Sequence, residues 1–147
     1  MTRQVREAGA AYRVSADTPD GLLLDTHALI WWVTDSPQLS VRAREAIAQP
    51  GLRVVVSAVS GWEISLKQTI GKLRALPTAP AKLAAELTGL GFEMLPVSFE
   101  HAVAGGALPL HHRDPFDRLL IAQAQIEGLT VITRDGAFAE YGCKTLW

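Results

Sequence analysis

Short aliphatic and β-branched runs alternate along this chain with longer stretches whose apolar positions recur every three or four residues. From Gly21 onward, GLLLD, RVVVS, FEMLPV and LTVIT predict four strands. Helical patterns lie between them. HALIWWV follows the first strand, and SVRAREAIAQ opens with Ser40 at an N-cap position. VSGWEISLKQTI ends near Gly71, and AKLAAELTGL is closed by Gly89 and Gly91. SFEHAVAGGAL has Ser98 as its cap, and DPFDRLLIAQAQIEG carries the clearest helical periodicity. GKLRALPTAP reads as a loop; GAFAEY is a short helix leading to a last short strand at CKTLW. Strands separated by helices predict an α/β fold: a three-layer α/β/α sandwich around a mainly parallel sheet, with right-handed crossovers.

Residues 1–20 stand apart from this pattern. They hold charges but no apolar core of a secretory signal. Three readings stay open: a flexible arm, a short added strand at AYRVS, or a start site placed too early. The expected division is an extension over 1–20 and one domain over 21–147.

Composition narrows the function classes. A hydrophobic fraction of 48% excluding Gly is slightly high, which fits either an extra buried face at a partner or a compositional bias. The single cysteine, Cys143, excludes an internal disulfide framework and a Cys-based zinc cluster, and agrees with a reducing, cytoplasmic setting. No apolar run is long enough to span a membrane. A formal charge of −1 is not that of a basic nucleic-acid wrapper. Setting five particular acids aside turns that charge into +4, so the remaining surface could still attract phosphate.

Those five acids carry the chemistry: Asp25, Glu63, Asp114, Asp117 and Asp135, each near an element boundary. Ligands of open parallel sheets bind outside the carboxyl ends of the strands, where Asp25 and Asp135 fall. Carboxylates gathered there repel one another unless a cation neutralises them, and a hard ion with oxygen ligands, Mg²⁺ or Mn²⁺, suits them. Each acid also has a plain structural role. Asp25 or Thr26 can cap a helix, Glu63 can pair with Lys67 at i,i+4, and Asp135 can cap GAFAEY. In D-P-F-D, Asp114 sits at an N-cap, Pro115 at the first helical position and Asp117 in the first turn. We therefore assign Asp114 mainly to the cap or a supporting role, and Asp117 to the ion. Glu63, about two turns into its helix, leans back toward the strand end. Thr26 and Thr133, beside two of the acids, are expected to support them or to position water or phosphate.

The remaining polar and aromatic residues receive plainer roles. His27, His101, His111 and His112 are read as structural or peripheral, since no zinc-type spacing is present. Trp31 and Trp32 divide between the core and a partner surface, and Trp62 is expected in the core. Lys67, Arg113, Arg118 and Arg134 are candidates for phosphate contacts, which position a nucleic acid without reading its sequence.

The strings LLLDTHALIWW, VSAVSGWEISLK followed by GKL, LPLHHRDPFDRLLIAQA and TVITRDGAF together resemble the PIN-domain family, and more closely its VapC-type toxins. The resemblance runs from Leu22 to about Trp147 with four motifs in the family's order. It implies a parallel sheet of four or five strands flanked by helices. It also implies an acidic quartet at Asp25, Glu63, Asp117 and Asp135, with Asp114 matching a second acid of a D-P-F-D subgroup. The implied activity is an Mg²⁺- or Mn²⁺-dependent endoribonuclease, homodimeric and silenced by a cognate antitoxin. The family's toxins begin almost at the first strand, so the 20 preceding residues are a departure. Rivals are weaker. Neither nucleotide-binding glycine motif occurs. A dehalogenase-type aspartyl nucleophile would want a second Asp where His27 stands. A catalytically silent PIN-like binding module is the remaining alternative.

Overall fold

The computed structural model describes the backbone of residues 3–7 and 10–14, and the whole of residues 19–74 and 76–147. Its centre is a five-stranded, all-parallel sheet in the order β5-β4-β3-β6-β7. The strands are β3 (Gly21–Leu24), β4 (Arg53–Ser57), β5 (Glu93–Leu95), β6 (Thr130–Ile132) and β7 (Thr145–Leu146). The three central strands are aliphatic or β-branched almost throughout because both their faces are covered. Alternate side chains go to opposite faces. Leu22, Leu24, Val54, Val56 and Ile132 enter one core, whereas Leu23, Val55 and Val131 enter the other.

Helices α1 (Thr26–Val33), α2 (Val41–Ala48) and α4 (Pro80–Gly89) build the first core. The second is closed by α6 (Pro115–Glu127) and the short α7 (Ala137–Glu140). Helix α3 (Ala58–Thr69) gives Ile64 to the first core and Val59 to the second, while α5 (Phe99–Ala107) packs on α6. Gly105 permits that close approach: a Cβ there would stand 3.3 Å from the Arg118 carbonyl oxygen. This is the expected α/β/α sandwich, with β7 completing the sheet.

Residues Arg3–Glu7 (β1) and Ala10–Val14 (β2) form an antiparallel pair. The strand among the three open readings at AYRVS thus pairs, over Ala10–Val14, with its own upstream neighbour and does not join the main sheet. Trp62 corrects another expectation. It is 59% exposed, because Val59, Ser60, Glu63 and Ile64 occupy the inner side of α3 and leave Trp62, Leu66 and Ile70 as a separate outer stripe.

Candidate metal centre

The two central parallel strands end side by side and set the site. After Leu24 the chain turns directly into α1, and the Asp25 N–H still donates to the Ile132 carbonyl of β6 at 3.1 Å. Asp25 is buried and caps α1, accepting from the Ala28 N–H at 2.7 Å. The capping role open to Asp25 is thus real, and it uses one oxygen. Thr133, one residue beyond β6, ties Asp25 to its neighbour. The Thr133 hydroxyl bonds the Asp25 carboxylate and accepts from the Asp135 N–H at 3.0 Å. Asp135 is exposed and accepts from the Ala137 N–H at 2.9 Å.

Helix α6 delivers the third aspartate. Asp114 spends Oδ1 on the N–H groups of Phe116 (2.8 Å) and Asp117 (3.2 Å), the cap that D-P-F-D implies. That cap starts the helix so that Asp117 projects from its first turn. One of its carboxylate oxygens, Oδ2, lies 2.8 Å from His112 Nε2. The approach of His112, Asp114 and Asp117 is close enough for one atom from each to lie within 4.8 Å of the others.

Electrostatics mark these aspartates as neighbours. Burial pushes the Asp25 carboxyl above its ordinary range, and the charge of Asp135 pushes the same way. Asp117 is pushed up to about 6, first by burial and then by Asp114 and Asp135, against the opposing hydrogen bond from His112. That bond in turn raises the His112 pKa. Asp135 thus acts electrostatically on both Asp25 and Asp117, while among the described residues only His112, Asp114 and Asp117 bring one ligand atom each within 4.8 Å of one another.

Glu63 approaches from α3. It is buried, and its Oε2 meets Lys67 Nζ at 2.7 Å, the i,i+4 pair open to it from sequence. One turn earlier on the same helical face, Ser60 Oγ lies 2.9 Å from Thr26 Oγ1, adjacent to Asp25. This contact turns the Glu63 face of α3 toward the start of α1. The donor set is carboxylate oxygen throughout, with an imidazole at its edge. Carboxylates held above their usual range by burial and like charge fit a hard divalent cation, which would offset both.

The cationic candidates separate. Arg113 is exposed beside His112. Arg134 is exposed, its guanidinium 4.6 Å from the centre of the Trp31 ring, and Trp31 also meets His27 and Trp147. Lys67 is engaged by Glu63. Arg118 corrects the expectation of a phosphate contact. It is buried, and its guanidinium donates to the carbonyls of Gly106, Leu108, Pro109 and His112.

His112 is the site residue that sequence reasoning set aside. Its signal was faint: a histidine just ahead of an acid-proline helix start. His27 is exposed against Trp31, and the His111 ring meets that of Tyr141 at a tilt of 52°. His101 is buried in a capping box with Ser98, a structural position as expected.

The family model for the PIN domain matches residues 22–143 of this chain. Ribonuclease VapC22 of Mycobacterium tuberculosis (strain ATCC 25618 / H37Rv) is 29% identical over 118 residues, covering 78% of this chain and 86% of that protein. Among solved structures, the fold is similar to that of M. tuberculosis VapC20, a sarcin-ricin loop cleaving toxin. There the TM-score is 0.62 at 16% identity, over 84% of this chain and 96% of that one. A toxin-antitoxin complex from Klebsiella pneumoniae matches with a TM-score of 0.54 at 20% identity, over 79% of this chain and 88% of the other.

Proposed function

Because this chain belongs to the PIN domain family, we propose that it is a divalent-metal-dependent endoribonuclease, the toxin of a toxin–antitoxin pair. The observation that supports this reading is that the carboxyls of buried Asp25 and half-buried Asp117 are both held above their ordinary pKa range, with Asp135 pushing each the same way. The name and assembly of the relatives support the same assignment. A silent PIN-like binding module would leave that electrostatic cost without a compensating ion.

Asp25, Asp117 and Asp135 would hold Mg²⁺ or Mn²⁺, with Glu63 at the edge. When bound, such an ion lowers the pKa of water and neutralises charge developing on a phosphodiester. The chain's own residues do the rest. Thr133 spaces Asp25 and Asp135 through one hydroxyl. Lys67 orients Glu63, and Thr26, bonded to Ser60, fixes α3 against the start of α1. The threonines thus position acids more directly than they position water. Arg113 and Arg134 offer exposed charge to the RNA backbone, and the guanidinium of Arg134 on Trp31 presents a flat cationic face to a base. Hydrolysis then requires no protein nucleophile.

Exposed apolar side chains supply room for partners. Trp62 on α3 and Ile70 just past its end, with Phe99 and Val103 on α5, are exposed, and an apolar hollow lies between Trp62, Val97, Phe116 and Leu119. We assign this surface to a second copy of the chain or to the antitoxin. Among the described residues no helix is long and apolar enough to cross a membrane, and a cytoplasmic setting follows from this reading.

The test is cleavage of RNA by antitoxin-free protein, with and without Mg²⁺ or Mn²⁺, beside Asp25→Asn and Asp117→Asn. Ion-dependent cleavage lost in both variants supports the proposal. Cleavage in a chelator, or full activity in both variants, refutes it.

A further inference from the structure

Asp117 depends on a loop that has no regular secondary structure, and the way that loop is held is the unexplained feature of the site. Residues 108–113 join α5 to α6 and carry His112. Both main-chain polar atoms of His112 are tied down by side chains. Its N–H donates to Tyr141 Oη at 2.8 Å, and its carbonyl accepts from Arg118 Nη1 at 3.0 Å. Arg118 gathers three further carbonyls, from Leu108 and Pro109 of the loop and Gly106 in the last turn of α5, at 2.7–3.1 Å. Tyr141 donates its hydroxyl proton to Pro109 at 2.6 Å. A buried guanidinium and a tyrosine from α6 and the end of α7 therefore form a cage around an otherwise irregular loop. The side chain the cage presents is the imidazole whose Nε2 lies 2.8 Å from Asp117 Oδ2.

We propose that His112 is a positioning residue for Asp117. With Asp117 as a carboxylate, Nε2 must carry the proton and donate it. This spends Oδ2 and fixes the rotamer, leaving Oδ1 as the oxygen for a cation. A ligating carboxylate oriented by an outer hydrogen bond holds its ion more tightly than one free to rotate. Arg118 and Tyr141 act one step further out by setting where the imidazole stands. The inference rests on the metal site proposed above, but it concerns how that site is held and not what it cleaves.

Three variants test it: His112→Leu, which removes the donor; His112→Gln, whose amide Nε2 stands close to the imidazole Nε2; and Tyr141→Phe, which leaves the ring but loosens the cage. Mn²⁺ affinity is measured by calorimetry on chelator-stripped protein, and kcat and KM for RNA are measured at sub-saturating Mn²⁺. His112→Leu is expected to weaken Mn²⁺ binding about tenfold or more. It should lower kcat and leave the KM for RNA unchanged. His112→Gln should recover most of the loss, and Tyr141→Phe should show a smaller loss in the same direction. A purely structural histidine would move the melting temperature and leave ion affinity alone.

The proposal is overturned if His112→Leu binds Mn²⁺ as the wild type does. It is equally overturned if His112→Gln is no better than His112→Leu while both melt like the wild type. Wild-type protein that binds Mn²⁺ more tightly than His112→Leu yet cuts no RNA would sink the ribonuclease reading and leave the positioning role standing. Cleavage unaffected by His112→Leu would do the reverse.

Discussion

Helix α6 serves two polar clusters, and they are built on opposite principles. Near its middle, Gln123 is fully buried and every contact is matched. Ser57 donates to its Oε1 at 2.5 Å, and its Nε2 reaches the Pro96 carbonyl at 3.3 Å and His101 Nδ1 at 3.4 Å. Ser57 also caps α3. Together these bonds join β4, α3, α5 and α6, and a satisfied buried network of this kind specifies packing. At the start of the same helix, Asp117 faces Asp114 and Asp135 and is pushed up to about 6. Fewer than two helical turns separate a site that is electrically settled from one that is not. The lesson is that burial of polar groups does not identify function; burial without compensation does.

The largest effect that would sharpen this contrast is on catalysis. Asp117→Asn is expected to lower ion-dependent RNA cleavage by about a hundredfold or more, since it removes charge from a preorganised electrostatic site. Single-turnover cleavage assays at saturating Mn²⁺ check this. Gln123→Ala should do the opposite. It strands the Ser57 hydroxyl proton and costs about 1–3 kcal/mol of stability, with activity per folded molecule preserved. Urea denaturation read beside active-site titration separates the two; a Gln123 variant that is stable but inactive would break the comparison.

A smaller effect has a sign that is easily mistaken. The folded pKa of Asp117, about 6, lies above the ordinary 3.8, so the folded state binds the proton more tightly than the unfolded chain. In metal-free protein its charge therefore destabilises the fold, by an amount absent below pH 3.8 that grows until the pH passes about 6. Asp117→Asn should consequently be more stable than the wild type at pH 7 by about 1–2 kcal/mol, allowing for solvent screening at its edge. That advantage should vanish near pH 4. Thermal melts in chelator across this range measure it, and a variant less stable at pH 7 would show the acid site to be as settled as the Gln123 network. The smallest expected effect lies at Arg134. Its replacement by Ala should raise the KM for RNA by a few-fold and reduce the salt dependence of binding by roughly one counterion.

Much of this was legible from the chain. Strands buried on both faces must be apolar at consecutive positions, so GLLL, RVVVS and TVI stand out, and Asp25 and Asp135, one and three residues beyond two of them, point to the proposed site. D-P-F-D announces its own cap, and Asp117 three residues after Asp114 follows from helical geometry. What periodicity cannot reach is irregular backbone. The approach of His112 to Asp117 is set by Arg118 and Tyr141, whose partners are main-chain carbonyls and amides that carry no sequence signature. For the same reason Arg118 reads as one more surface cation, although it is buried. Trp62 was misplaced for a different reason. Its stripe with Leu66 and Ile70 is itself helical in spacing, and periodicity alone does not tell an inner stripe from an outer one.

The central claim is that three separated aspartates converge on one divalent ion, and anomalous scattering from Mn²⁺-soaked crystals tests it most directly. The account expects a single strong peak, or two adjacent ones, within coordination distance of carboxylate oxygens of Asp25, Asp117 and Asp135. Bound Mn²⁺ only at other sites on the molecule, with those three carboxylates unengaged, would contradict it.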